Sequence, residues 1–243
     1  MRKAMAAAPV AFCLAALLLA ACSAQIDGVF EAAGRAELSV SAAVQPKTAA
    51  MIRRVLSKTS GSSPSALLNA AALNNSFARL ESVERASFYN RTPNLLDGRL
   101  VVARIDELVA QQSGGEEARR FITWEQNAGG GRAFIHIDRK NGPKIVEFLS
   151  GDLSAYLAAL MAPVATGEEL GAKEYLELVR SVYDADIASE IESSRVKLKI
   201  KFPARIRSVK GGSGNADVAE FDVPLLSLLV LEKPLSYEVT WQR

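Results

Sequence analysis

Along Gly34–Val44 the chain alternates: Ala36, Leu38, Val40, Ala42 and Val44 fall on one side and mostly polar residues on the other. A period of two predicts a strand with one buried face. Pro46 ends that strand and opens a helix through Met51, Ile52, Val55 and Leu56. The Ser/Gly-rich stretch Ser57–Ser63 with Pro64 reads as a loop, and a short helix carries Leu67, Leu68 and Leu73. Strands return at Arg79–Tyr89 and Arg99–Ile105, separated by a turn region over Asn90–Gly98 that holds Pro93 and Asp97-Gly98. Arg119–Gln126 and Arg132–Asp138 flank Asn127-Ala128-Gly129-Gly130-Gly131, a hairpin signal.

The period then changes. Asn141-Gly142-Pro143 ends the strands and a helix opens at Lys144. Leu153, Tyr156, Leu157, Leu160 and Met161 recur at helical spacing, with Asp152 placed as N-cap and Pro163 as the stop. Thr166 and Glu169 have capping-box spacing. Tyr175, Leu178, Val179, Val182 and Tyr183 repeat the apolar face, which Ile187 and Ile191 extend toward 192. Strands resume at Arg195–Phe202, Ala219–Val223 and Tyr237–Trp241, with a glycine-rich turn at Gly211–Gly214. Strands, a helical block and strands again predict an α+β fold: a mainly antiparallel sheet with amphipathic helices packed on one face. Residues 34–243 read as a single domain.

The first residues follow a different rule. Arg2 and Lys3 precede an uncharged apolar stretch from Ala4 to Ala21, the layout of a secretory signal peptide. It closes on Leu19-Ala20-Ala21-Cys22. These four residues resemble the lipobox of bacterial lipoproteins, Leu-(Ala/Ser)-(Gly/Ala)-Cys. The resemblance implies cleavage before Cys22, so that residues 1–21 are a signal peptide, and lipid on the Cys22 sulfur. Residues 22–33 then read as a lipidated N-terminus and tether. Three plainer readings stay open: cleavage after Ala24, retention of the leader as a short membrane span, against which Pro9 and the alanines argue, and Cys22 as an ordinary buried residue of the leader, like Cys13. The chain has two cysteines, Cys13 and Cys22, and none beyond. In an exported protein an unpaired boundary cysteine calls for a role, and lipidation supplies one. The expected location is the cell envelope, anchored to the inner or outer membrane with the domain outside the cytoplasm.

Charge narrows the partners. Arg2 and Lys3 are the only charges before Cys22, so the rest of the chain carries 27 basic and 27 acidic residues. That balance argues against nucleic acid. His136 is the single histidine and shares a strand face with Asp138, which removes multi-histidine metal sites and leaves a surface histidine. The glycine clusters at 129–131 and 211–214 lack the Lys-Ser/Thr of a phosphate-binding loop. No catalytic residue, metal ligand or cofactor is expected, and the protein reads as no enzyme. The sequons at Asn74 and Asn90 read as chance.

Two patterns offer binding chemistry. In the strand from Arg195 to Phe202, Arg195, Lys197, Lys199 and Lys201 point one way, an arrangement suited to anionic lipid headgroups or to a solvated sheet face or guarded edge strand. The run Phe221–Leu231 is apolar apart from Asp222 and Ser227. Its Leu225, Leu226, Leu228, Leu229 and Leu231 fit a pocket for a hydrophobic ligand, or a packed core. The segments Tyr156–Gly167, Phe221–Leu226 and Tyr237–Trp241 resemble uncharacterised lipoproteins of spirochaetes, which implies an envelope location and no site residues. The expected partners are the membrane, through lipidated Cys22, and either a hydrophobic ligand or another envelope protein. The reading is a non-catalytic binding domain for lipid or another hydrophobic molecule; the alternative is an envelope structural or assembly protein acting through protein contacts.

Overall fold

A computed structural model describes residues 23–60, 65–111, 122–142 and 168–242. Strand β1 spans Ser23–Phe30 and β2 spans Ala36–Ala43. Helix α1 (Pro46–Ser60) and helix α2 (Ala70–Phe77) follow. Next come β3 (Val83–Thr92), β4 (Leu95–Val102) and helix α3 (Ile105–Gln111). Strands β5 (Ile122–Asn127) and β6 (Gly130–Ile137) form a hairpin. Helices α4 (Ala172–Val182) and α5 (Ala185–Ser193) precede β7 (Arg195–Lys201), β8 (Arg205–Lys210), β9 (Ser213–Asn215) and β10 (Val218–Pro224). A short helix α6 (Leu225–Val230) and β11 (Leu235–Gln242) complete the order.

The fold is α+β, built on two sheets. Seven strands run β3-β4-β2-β1-β7-β10-β9, and four run β5-β6-β11-β8. All described pairings are antiparallel except β1 with β7, which is parallel and lies in the middle of the larger sheet. Alternation along β1 decides its faces: Ala24 and Ile26 are buried, while Gln25 and Val29 are exposed. In register, Ile26 lies between Val40 and Leu198, and Asp27 lies between Ser39 and Lys199. One face of the sheet is therefore continuous core and the other is polar.

The helices gather on the core face. Ile52 and Leu56 of α1, Phe77 of α2, Tyr175 and Val179 of α4, Ile187 and Ile191 of α5, and Leu225 and Leu229 of α6 share one hydrophobic cluster with the sheet. Pro46 starts α1, where its missing N–H is no loss. The carboxylate of Glu190, from α5, accepts from the amides of Lys47 at 3.0 Å and Thr48 at 2.7 Å, so one helix caps another at its positive end.

An aromatic junction joins the two sheets. Phe30 ends β1 and Phe202 follows β7, with ring centroids 5.4 Å apart. Phe30 meets Trp124 of β5 edge-on at 5.0 Å, and Phe202 meets Trp241 of β11 at 4.9 Å. Trp124 and Trp241 close the square at 5.0 Å. Gly131 makes room for this: a Cβ there would lie 2.2 Å from the Trp241 ring and 2.6 Å from the Glu125 carbonyl.

Several expectations are corrected. Residues 23–30 are no tether but β1, because their alternation matches the core face and both their edges find strands. Asp97-Gly98 is not a turn: the turn is Pro93-Asn94, and Gly98 sits inside β4 opposite Phe88, whose ring would lie 2.2 Å from a Cβ. The helix read over 169–192 is two. It starts at Ala172, where Glu174 accepts from the Gly171 amide, and Asp184 caps a new helix by accepting from the Asp186 amide at 2.8 Å. The helices read at Lys144 and over 152–162, and Thr166 of the capping box, lie outside the described residues. Strand Arg195–Lys201 is not an edge, having β1 and β10 on its sides.

Gly131→Ala is expected to displace Trp241 and cost on the order of 1–3 kcal/mol, as other overpacked sites do. Tryptophan emission and denaturant midpoint should shift together; unchanged values would show that the junction tolerates the methyl group.

Candidate functional site

The polar face of the seven-stranded sheet carries the charges that the sequence singled out. Along β7, Lys197, Lys199 and Lys201 stand on that face, two residues apart. Each lies between cross-strand neighbours: Gln25 and Asp222 for Lys197, Asp27 and Glu220 for Lys199, Val29 and Val218 for Lys201. Lys199 Nζ is 2.8 Å from Glu220, Lys201 Nζ is 3.4 Å from Asp217, and Arg195 Nε is 3.8 Å from Asp222. The hydrogen bond from Lys199 to Glu220 holds its ammonium charged above the ordinary range.

These pairs are exposed, so each contributes little to stability, typically ~0–1 kcal/mol. Their effect on the field is larger. The row that reads as purely basic along one strand becomes a mixed-charge ladder once β1 and β10 lie beside it. A ladder of alternating sign offers an anionic surface much less than four free cations would.

An open groove of about 540 Å³ lies on this face. Gln25 and Asp27 of β1, Lys197 and Lys199 of β7, and Glu220 and Asp222 of β10 line it, and the Gly211–Ser213 turn borders it. Gln25 donates to Asp27 at 2.9 Å. Gly211 has φ of 78°, in the left-handed region, and a Cβ there would lie 2.5 Å from the Ser236 carbonyl oxygen. The lining mixes donors and acceptors within reach of one another, which suits a polar partner with both.

The leucines of the 221–231 run are elsewhere. Leu225, Leu228, Leu229 and Leu231 are buried in the hydrophobic cluster, and Leu226 is half-buried against it. They fill the core beneath β10, and none of them lines the groove. In this cluster Tyr175 is 2 % exposed, and burial pushes its hydroxyl pKa up. Among the described residues its oxygen has no hydrogen-bond partner.

The outer face of the smaller sheet holds a second charged group. Glu238 of β11 accepts from Lys210 at 2.7 Å and from Arg132 at 2.7 Å. The hydrogen bonds from Lys210 and then Arg132 hold its carboxyl below the usual glutamate range. Arg132 also lies over the Phe134 ring, 5.1 Å from its centroid. The group crosslinks β8, β11 and β6. His136 is beside it on β6, with Nδ1 2.7 Å from Ser236 Oγ and Nε2 3.6 Å from Asp138. Burial raises the Asp138 carboxyl, but the amides of Asn141 and Lys140 outweigh it and leave the pKa lowered.

Asn74 and Asn90 have a structural use. Asn74 donates to the Phe88 carbonyl at 2.9 Å and accepts from the Phe88 amide at 2.8 Å, and Asn90 accepts from the Ala70 amide at 3.2 Å. Together they tie α2 and its N-terminus to the edge strand β3 and occupy backbone groups that would otherwise be open to another chain. Among the described residues no three His, Cys, Asp or Glu side chains cluster as metal ligands, and no helix is long and apolar enough to cross a membrane. Cys22 lies outside the described residues.

No protein-family model and no curated protein matches this chain. Among solved structures it is similar to the NMR structure of the folded domain of Mycobacterium tuberculosis LppM, with a TM-score of 0.42 and 12% identity, over 90% of this chain and 88% of that one.

Glu238 gives a pH test. Its folded pKa is lowered, so its contribution is complete above the unfolded value, ~4.3, and is lost as pH falls through the folded value. Between about pH 5 and pH 3, Glu238→Gln is therefore expected to lose less stability than the wild type; parallel curves in acid titrated unfolding would remove Glu238 from that dependence.

Proposed function

We propose that this protein is a lipid-anchored lipoprotein of the bacterial cell envelope whose folded domain binds a partner and performs no chemistry. The lipobox-like Leu19-Ala20-Ala21-Cys22 directly ahead of β1 is the observation that carries the anchor. A sulfur bearing two acyl chains, with a third on the freed amine, holds a domain to a bilayer without help from its surface.

The same geometry favours contact over catalysis. The groove on the polar face is open, and its charged side chains alternate in sign across three strands, as a surface that meets another protein does. Its lining suits a polar partner, such as the surface of another envelope protein, better than an acyl chain. The hydrophobic-ligand reading is weakened because Leu225, Leu228, Leu229 and Leu231 are packed against their own core.

Two measurements test this reading. Labelled fatty acid is expected to enter the wild type and not Cys22→Ala; label in both, or in neither, would sink the anchor at Cys22. Native mass spectrometry of the domain lacking Cys22, purified from bacteria, is expected to show no bound lipid. A stoichiometric lipid adduct would return the hydrophobic-ligand reading to first place.

A further inference from the structure

Strand β1 begins at Ser23, the residue that follows Cys22. It is an interior strand, held on both edges from its first residues: Ser23 pairs with Ala43, and Ala24 with both Ala42 and Val196. Ser23 cannot swing away from the sheet without breaking those ladders. Consecutive Cα atoms are ~3.8 Å apart, so a lipid carried on the residue before Ser23 is joined to the sheet's end through a single peptide link. A flexible tether over 22–33 would instead have let the domain wander by roughly 18 Å.

From this we infer that the protein has a fixed membrane-facing end, where the starts of β1 and β7 meet the ends of β2, β3 and β10, and that its partner there is the phospholipid headgroup layer. The inference rests on the lipid anchor at Cys22. The residues at this end are Ala43–Lys47, Arg91–Leu95, Ser194–Arg195 and Pro224. Val44 donates to the Asn94 carbonyl at 2.9 Å and Leu225 to the Ser194 carbonyl at 3.0 Å, so these segments form one joined surface.

The charges at this end are balanced within the fold, so the short connection to Cys22, and not charge, carries the assignment. Lys47, Arg91 and Arg195 belong to the segments at this end, and Lys47 and Arg91 are more than half exposed, at 64% and 62%. Arg53 donates to the Pro93 carbonyl and the Asn94 side chain, which holds it at this end. The carboxylates nearby have partners within the fold: Asp186 is 3.2 Å from Lys47, Glu190 caps α1, Asp97 pairs with Arg91, and Asp222 is 3.8 Å from Arg195.

The geometry reassigns the basic row as well. Because β7 runs parallel to β1, Arg195 lies at the membrane end while Lys197, Lys199 and Lys201 follow at rising distance, ~6.6 Å for every two residues. The groove then opens sideways on the sheet, clear of the bilayer. The turn Glu31–Arg35 stands farthest away along β1, roughly 25 Å from Ser23.

The test uses the full chain, processed and lipidated in bacteria and reconstituted in vesicles of phosphatidylethanolamine and phosphatidylglycerol. No cysteine follows Cys22, so one introduced cysteine takes one fluorophore. Lys47→Cys marks the proposed membrane end and Ala33→Cys the far turn. A quencher on the lipid headgroups is expected to quench the label at 47 several-fold more than the label at 33. Equal quenching, or the reverse order, would overturn the fixed end. Inserting a flexible segment of about twelve residues between Cys22 and Ser23 is expected to erase the difference, since such a segment spans roughly 19 Å. A difference that survives the insertion would overturn the short connection as its cause. Fatty-acid labelling of the same samples separates the outcomes: unlabelled protein fails the anchor, and labelled protein with equal quenching fails only the orientation.

Discussion

The parallel pairing of β1 with β7 is the contact on which the rest of the architecture depends. On one side of it lies an antiparallel group, β1-β2-β4-β3, made from the first part of the chain. On the other lies β7-β10-β9, made from the last part. Removing the pairing would leave two small sheets, each with half of the core face uncovered. The two strands also end together, so Phe30 and Phe202 arrive side by side and provide the surface against which Trp124 and Trp241 seat the second sheet. The ladder and the aromatic junction are one construction.

Much of this architecture was legible as periodicity. The strand at Gly34–Val44, the helix from Pro46 and the hairpin around Asn127–Gly131 follow from local rules, and each is present at nearly the expected place. The errors arose where a local signal had a distant cause. Asp97-Gly98 has the composition of a turn, but its glycine answers to the Phe88 ring on the neighbouring strand. Ser23–Phe30 holds a glycine, a glutamine and an aspartate and follows the lipobox-like Leu19–Cys22, so it resembled a linker. Its alternation of Ala24, Ile26 and Gly28 was visible, yet only the partners β2 and β7 give that alternation a face to bury.

The candidate site was less legible, for a related reason. A strand shows its own charges in sequence but not those of its neighbours. Arg195, Lys197, Lys199 and Lys201 form an uninterrupted basic row, while Glu220, Asp222 and Asp217 lie beyond a glycine-rich turn and return to it only through β10. The leucine run poses the opposite problem. Composition states that Leu225–Leu231 avoids water, and only the packed helices on the core face state that other parts of this chain do the covering. The groove itself had no local signature, because three strands and a turn each supply a small share of it.

The central place of β1 bears on the order of events in making the protein. Strand β1 finds one of its two partners only after the residues of β7 have been made, so the sheet is a high-contact-order structure and closes late. Until then the segment from Ser23 has no partner on its β7 side. Once β7 zips onto it, the same peptide is the spine of a folded sheet. A fold whose first strand waits for its seventh keeps that strand out of the sheet until β7 has been made.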